Sequence, residues 1–171
     1  MNCIQLKPSD AERYTRLRME MLTSAPWAFG ATPDDDRGLD IPHLEEMLAQ
    51  EHYAIFASED ADKGAQNGEL VAAAGIIRST RQKLAHRAVI WGVYTRADQR
   101  GRGHGRAVMT AAIDLARSWP GVDYVDIAVT DNAPAAQHLY ESLGFEAWGR
   151  EPETLECDGR RYDEIHMTLR L

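Results

Sequence analysis

The residues best suited to chemistry in this sequence form a turn rich in glycine and arginine. Gly101, Gly103 and Gly105 occupy alternate positions after an apolar segment and before a run with helical apolar spacing. Alternating glycines let the backbone curl with its N–H groups pointing inward, and a following helix N-terminus adds unpaired donors and partial positive charge. The pattern predicts a cradle for a diphosphate group. The flanking arginines that can pair with further phosphate oxygens are Arg100, Arg102 and Arg106.

Spacing narrows the kind of phosphate site. A dinucleotide-binding turn follows GxGxxG, but counting from Gly101 or Gly103 puts Arg106 or Val108 where the third glycine belongs. A P-loop needs a lysine followed by serine or threonine, and none follows these glycines. Two alternatives stay open. One is a purely structural turn, and the other is a disordered arginine–glycine tail that binds nucleic acid, which the apolar flanks argue against.

A second motif lies about 35 residues further along the chain. Tyr124–Thr130 is typical of a strand, Asp131-Asn132 ends it, and a helical pattern then carries Leu139-Tyr140-Glu141-Ser142-Leu143-Gly144-Phe145. Tyr140 lies about 100° around this helix from Leu139. We therefore predict that Leu139 and Leu143 face the core while Tyr140 lies at the margin of the apolar face.

The two motifs together resemble the signature of the GCN5-related N-acetyltransferases, the GNAT superfamily. The glycine turn is similar to the family's RxxGxG motif, and the second segment is similar to its LYExxGF ending; together they span roughly residues 87–145. The resemblance implies direct transfer of an acetyl group from acetyl-CoA to a primary amine of a small molecule or peptide. It implies that coenzyme A pyrophosphate binds at Arg100, Gly101, Arg102, Gly103, His104, Gly105 and Arg106.

The resemblance also implies an α/β (α+β) fold, with a mixed, mostly antiparallel central sheet of about seven strands and about four helices on both faces. In this fold the strand Arg87–Thr95 and the strand Tyr124–Thr130 run in parallel and splay apart into a cleft for coenzyme A. Pantetheine inserts into that cleft in the family and pairs with main-chain groups of the first splayed strand. By position these groups belong to Val93, Tyr94 and Thr95.

Hydrophobic periodicity places the remaining elements in a single domain over residues 1–171. The predicted strands cover residues 3–7, 53–58, 70–78 and a C-terminal hairpin of 154–157 and 161–169, with turns at Asn67-Gly68 and Asp158-Gly159. The predicted helices cover residues 11–22 and 42–51 and run from the glycine turn to about Trp119. Apolar residues from Ala88 to Trp91 predict that Arg87–Thr95 is a central strand covered on both faces.

Tyr140 resembles the family tyrosine whose hydroxyl protonates the departing thiolate, which implies the role of general acid. The alternative is a tyrosine packed at a helix edge. Asn132 resembles a cofactor-binding asparagine, but one extra residue separates it from Tyr140. Either Pro134 closes a bulged first turn, or the usual cofactor contact is altered. A third possibility is that Asn132 caps the helix.

An acceptor amine must lose a proton before it attacks a thioester, because an ammonium group has a pKa of about 10. Glu20 is the leading candidate for the base, with a solvated residue or a substrate anchor as alternatives. The resemblance implies acceptor-side walls in the segment that carries Trp27 and Phe29 and in the C-terminal hairpin, although both aromatic residues are equally suited to core packing. Asp34-Asp35-Asp36 attracts a cationic acceptor, is solvated in a loop, or reflects the preference for acidic residues at a helix N-terminus.

The charge and hydropathy of the sequence limit the classes of partner that the protein can bind. Aspartate plus glutamate (27) exceed lysine plus arginine (19), giving a formal net charge of −8, so the chain lacks the basic character of nucleic-acid binders. No apolar run approaches ~18 residues and no signal peptide is recognisable, so we expect a cytoplasmic protein without membrane contact. Cys3, Cys157 and the six histidines show no ligand spacing, which predicts no disulfide framework and no metal. A homodimer is possible, and a non-catalytic CoA-binding sensor or interaction module with the same fold is the alternative to an enzyme.

Overall fold

The computed structural model describes residues 2–60 and 68–171, in which seven strands form one sheet and four α-helices pack against it. The strands are β1 (Asn2–Gln5), β2 (Tyr53–Glu59), β3 (Leu70–Arg78), β4 (Arg87–Thr95), β5 (Tyr124–Thr130), β6 (Glu146–Cys157) and β7 (Arg160–Arg170). The helices are α1 (Ala11–Ser24), α2 (Ile41–Leu48), α3 (His104–Ser118) and α4 (Pro134–Ser142). The predicted turn at Asn67-Gly68 includes residue 67, which lies outside the described residues.

The sheet has the order β1-β2-β3-β4-β5-β7-β6, and every neighbouring pair is antiparallel except β4 and β5. The parallel pair holds together over three residue pairs only, from Arg87 opposite Tyr124 to Val89 opposite Asp126. Beyond these pairs the two strands diverge. The predicted mostly antiparallel sheet with a splayed parallel pair is therefore confirmed.

A bulge in β4 accounts for the divergence. Gly75 of β3 lies opposite Trp91, whereas Ala73 lies opposite Tyr94, so β4 carries one more residue than β3 across this interval. Gly92, inside the interval, has a φ of +61°, a conformation that glycine adopts without steric penalty. A bulge bends its strand and increases the local twist. The bend carries the end of β4 away from β5.

Helices cover both faces of the sheet, as predicted. On one face, α3 buries Val108 and Met109 against Ile90 and Val125 of the central strands. On the other face, α1 and α2 form a second apolar cluster, in which Met21 and other helix residues pack on β2 and β3. None of the helices in residues 2–60 and 68–171 is long and apolar enough to span a membrane.

The prediction that β4 is covered on both faces is wrong at Val89, which is 43% exposed. Ala88 and Ile90 point into the α3 cluster, so Val89 lies on the opposite face, where α1 and α2 cover β2 and β3 instead. A 3₁₀ turn, Pro26–Ala28, contacts β5 and β6 on the chain segment after α1. The sheet therefore has a region without a helical cover near the splayed strands.

Candidate active site

The splay between β4 and β5 opens a cleft of about 660 Å³. Its lining comes from both splayed strands, the 3₁₀ turn, the glycine turn and α4. The predicted site residues in this lining are Trp27, Phe29, Val93, Tyr94, Thr95, Arg100, Gly101, Gly103, His104, Gly105, Arg106, Asn132 and Tyr140. Arg102 and Glu20 are not part of the lining. The structure thus brings most of the predicted residues together around one cavity.

The glycine turn forms an open N-terminus for α3. Gly103 is the helix N-cap with a φ of +88°, and no side chain caps the helix in the described part of the chain. A Cβ built on Gly101 would meet no atom within 4 Å, so the backbone of the turn faces open space. Unpaired N–H groups and the helix dipole make such a position suitable for an anion. These residues fit the diphosphate of coenzyme A.

The three arginines of the turn differ in their contacts. Arg100 donates from Nε to the carbonyl oxygen of Thr95 at 3.2 Å, and Arg106 donates from Nη2 to Ser142 Oγ at 2.6 Å. Arg102 is exposed and has no hydrogen bond or ion pair within residues 2–60 and 68–171. Protein contacts therefore orient Arg100 and Arg106, whereas the charge of Arg102 is available to a ligand.

His104 anchors the first turn of α3 rather than supplying a cation. Its side chain is buried, and Nδ1 lies 2.7 Å from Ser58 Oγ of β2. Burial lowers the pKa of His104, so the imidazole is neutral at pH 7. A neutral ring bound to Ser58 fixes the start of α3 against the sheet, which in turn fixes the glycine turn.

Three polar atoms in the cleft lining are buried without a hydrogen-bond partner among the described residues: Gln99 Oε1, Thr130 Oγ1 and Asn132 Oδ1. Buried polar atoms are nearly always bonded, so these three indicate a place where a polar ligand or water binds. Sequence reasoning missed Gln99 and Thr130, although one directly precedes the arginine–glycine run and the other ends β5.

Asn132 does not cap α4. Ala133 is the N-cap and Pro134 takes the first helical position, where a missing N–H carries no penalty. The sequence interpretation of Asn132 as the cap is therefore wrong. Ala133 separates Asn132 from the first helical residue, so the Asn132 amide stays in the cleft lining and does not bind the helix N-terminus.

Tyr140 is the most deeply buried side chain of α4, at 4% exposure. Leu139 and Leu143 pack against the core cluster as expected, although they are only partly buried. The expectation that Tyr140 lies at the margin of the apolar face is wrong, because Tyr140 is more buried than either leucine. The Tyr140 ring packs 6.2 Å from the Phe145 ring and also borders the cleft. Its hydroxyl has no hydrogen-bond partner in the described residues, and burial raises its pKa. Tyr140 is thus a neutral donor without a protein acceptor.

Tyr94 connects the cleft with Glu20. The Tyr94 hydroxyl donates to Glu20 Oε1 at 3.0 Å and lies 2.8 Å from Ser24 Oγ. Glu20 itself borders a separate pocket of about 270 Å³ beside α1, and its Oε1 lies 3.6 Å from Nε of Arg96. Burial and the contact with Glu20 raise the pKa of Tyr94, so its hydroxyl keeps its proton near neutral pH.

A buried ion pair packs against Phe29 and Trp91, two aromatic residues of the cleft lining. Arg18 of α1 and Asp36 approach to 2.7 Å, with both side chains 7% exposed. The Arg18 guanidinium also lies 5.2 Å from the ring centroid of Phe29 and 5.9 Å from that of Trp91. Asp36 is therefore neither solvated nor free to attract an acceptor, since it is the buried counterion of Arg18 and holds the loop after α1. It precedes the 3₁₀ turn Arg37–Leu39, but its side chain does not cap that turn. Sequence analysis missed this pair.

Known proteins with related sequences or folds share this arrangement of elements. The family model described as "Acetyltransferase (GNAT) family" matches residues 16–145. The chain is 37% identical over 79 residues to the L-methionine sulfoximine/L-methionine sulfone acetyltransferase of Pseudomonas aeruginosa, covering 46% of this chain and 45% of that protein. The chain therefore matches less than half the length of that relative.

Two further similarities extend over more of the chain. The L-amino acid N-acetyltransferase AaaT of Escherichia coli is 27% identical over 130 residues, which is 75% of this chain and 79% of that protein. A phosphinothricin acetyltransferase from Sinorhizobium meliloti, solved in complex with acetyl-CoA, superposes with a TM-score of 0.82 at 17% identity, covering 99% of this chain and 88% of that one. The fold and the family model agree, and this chain belongs to the GNAT family of acetyltransferases.

Proposed function

We propose that this protein is an acyltransferase that moves an acetyl group from acetyl-CoA to the primary amine of a small, amino-acid-like acceptor. One observation carries the proposal: a single cleft contains an anion cradle at the start of α3, the diverging main chain of β4 and the unpartnered hydroxyl of Tyr140. The acceptor class is supported by the relatives named for L-methionine sulfoximine and for L-amino acids.

Binding of the co-substrate uses groups that the protein leaves without partners. The first N–H groups of α3 hold the diphosphate, and Arg102, exposed in the same turn but outside the cleft lining, adds positive charge beside it. Beyond Val89, β4 has no pairing with β5 in the described sheet, so the main chain of Val93, Tyr94 and Thr95 is available to amide groups in the cleft. The buried oxygens of Gln99 and Asn132 accept further hydrogen bonds.

The reaction needs two proton transfers, one to the departing sulfur and one from the acceptor amine, and different residues carry them out. Bound acetyl-CoA supplies a thioester whose carbonyl carbon is the electrophile. Tyr140 holds a proton on its hydroxyl and gives it to the departing sulfur as general acid. Glu20 acts as the base that receives the acceptor's proton through the Tyr94 hydroxyl, because it reaches that hydroxyl but not the cleft. Backbone N–H groups of β4 stabilise the negative charge on the carbonyl oxygen.

The first test is acetyl-CoA consumption, followed by thiol release, over a panel of L-amino acids, L-methionine sulfone and polyamines. We expect release that depends on an amino-acid acceptor and that falls in Tyr140→Phe. Coenzyme A binding without release for any amine would reject the transferase and favour the non-catalytic sensor. Release with polyamines alone would reject the acceptor class and retain the enzyme.

A further inference from the structure

A polar cluster lies on the face of the C-terminal hairpin. Glu151, Glu164 and His166 bring one oxygen or nitrogen each to within 4.8 Å of one another, and His166 Nε2 lies 3.1 Å from Glu151 Oε2. Glu151 stands directly opposite Glu164 between β6 and β7. Like charges in directly opposed positions repel each other, so this cluster favours a positively charged group beside it.

The strand register places this cluster beside the cleft. In the β5–β7 pair, Glu164 lies opposite Thr130 and His166 lies opposite Ala128. Directly opposed residues share one face of a sheet, and neighbouring strands are only about 4.8 Å apart. Thr130 and Ala128 both line the cleft and lie beyond the last β4–β5 pair, in its splayed part. Glu164 is therefore one strand away from the cavity.

Thr130 gives an independent indication of a ligand at this position. Its side chain is 3% exposed, and Oγ1 has no hydrogen-bond partner in the described residues. A buried hydroxyl oxygen without a partner is rare in proteins. Glu164 itself is not in the cleft lining, so a group with several N–H donors would bind both oxygens from the edge of the cleft beside Thr130.

We propose that Glu164, supported by Glu151 and His166, binds the acceptor in its ammonium form, before the Tyr94 hydroxyl and Glu20 remove the proton, and that Thr130 Oγ1 accepts a second hydrogen bond from the same group. This inference rests on the proposed function and specifies which end of the acceptor is recognised by the residues of β5 and β7 beside the cleft. An ammonium group fits these acceptors, because its three N–H donors can bind the threonine oxygen as well as the carboxylates. The centroid of the Trp148 ring lies 5.4 Å from that of the His166 ring.

Burial also agrees with a cationic partner. Glu164 is partly buried, and burial raises the pKa of its carboxyl group. His166 lowers this pKa, and Glu151 raises it further. A carboxylate in such surroundings gains more from an added cation than a solvated carboxylate does. The hairpin offers a matched reference in Glu156, an exposed glutamate paired with Arg161 at 3.0 Å and remote from the cluster.

The test is calorimetric titration of the CoA-saturated protein with L-methionine sulfone, the standard L-amino acids, and the desamino analogue of the best binder. We expect Glu164→Gln to weaken binding of the amino compound roughly tenfold to a hundredfold, and Thr130→Val to weaken it by a smaller factor. Binding of the desamino analogue and of coenzyme A should be the same in Glu164→Gln and in the wild type. Glu156→Gln should match the wild type with every ligand.

Equal binding of the amino compound by Glu164→Gln and the wild type would overturn the inference. The inference also fails if the wild type binds coenzyme A but none of these amines. A parallel titration with Zn²⁺ tests a metal site, and loss of Zn²⁺ affinity in Glu164→Gln with unchanged amine binding would favour the metal over the ammonium group. Wild-type protein that binds no coenzyme A would instead reject the proposed function itself. The two failures are therefore distinguishable in one series of titrations.

Discussion

Tyr94 donates a hydrogen bond of 3.0 Å to Glu20 Oε1, and this single contact joins the cleft to a carboxylate outside it. The tyrosine hydroxyl also lies 2.8 Å from Ser24 Oγ at the end of α1. Glu20 does not line the cleft, so a proton from an acceptor in the cleft would need a relay to reach it, and the Tyr94 hydroxyl is bonded to Glu20 and belongs to a residue of the cleft lining.

If this pair removes the acceptor's proton, Glu20→Gln and Tyr94→Phe should each lower kcat by about 100-fold, since a positioned base contributes about 10²–10⁴. The double variant should be no slower than the slower single variant, because both changes interrupt the same transfer. Ser24→Ala keeps the Glu20 contact and should retain most of the activity. Additive losses in a double-mutant cycle, measured by thiol release, would contradict the relay.

Among the described residues, Tyr140 is the only buried titratable residue that α4 contributes to the cleft lining, and Tyr140→Phe removes its hydroxyl. We expect kcat to fall about 100-fold with little change in thermal stability, because the ring is kept and its hydroxyl has no partner among residues 2–60 and 68–171. Burial raises the Tyr140 pKa above its ordinary value of 10.0, so the acid form persists at every pH below that value. The kcat–pH profile of the wild type should therefore show no decline assigned to Tyr140 below about pH 10. A decline near pH 8 that disappears in Tyr140→Phe would contradict this role.

The sequence predicted the elements that carry the cleft closely, since β4 and β5 have the predicted bounds and α3 ends within one residue of Trp119. Motif spacing located the glycine turn, because a helix N-terminus after an apolar strand is a local property. The exposure of Val89 could not be predicted in this way. An apolar run shows that a strand is central, but not how far the helices on each face extend across it.

Contacts between distant segments were the part of the site that sequence reasoning could not supply. The register of β6 and β7 brings Glu151, Glu164 and His166 together. Their spacing along the chain matches no ligand motif, so the sequence alone did not reveal the cluster. Likewise, Arg18 and Asp36 are ordinary residues of a helix and of a polar loop until the loop folds back on α1. Register and loop closure depend on the whole sheet.

The glycine turn can be tested with a matched pair of variants. Gly101 and Gly121 both have a φ of +74°, and a Cβ on either would meet no atom within 4 Å, but only Gly101 lines the cleft. Alanine at each position should cost a similar free energy of unfolding, about 1–2 kcal/mol, from backbone strain alone. Calorimetry should show weaker coenzyme A binding for Gly101→Ala and wild-type affinity for Gly121→Ala. Equal affinities in the two variants would argue against a diphosphate cradle at this turn.

The Arg18–Asp36 pair should stabilise both the fold and the acceptor side of the cleft. Asp36→Ala leaves a buried guanidinium without its counterion, and removal of one partner of a buried pair costs about 3–5 kcal/mol. Asp34→Ala, at an exposed position two residues away, should change the free energy of unfolding by less than about 0.5 kcal/mol in urea titrations. Because Arg18 also packs on Phe29, we expect Asp36→Ala to raise the acceptor KM more than the acetyl-CoA KM. Equal increases in both KM values would mean that the pair supports the whole fold and not the acceptor wall.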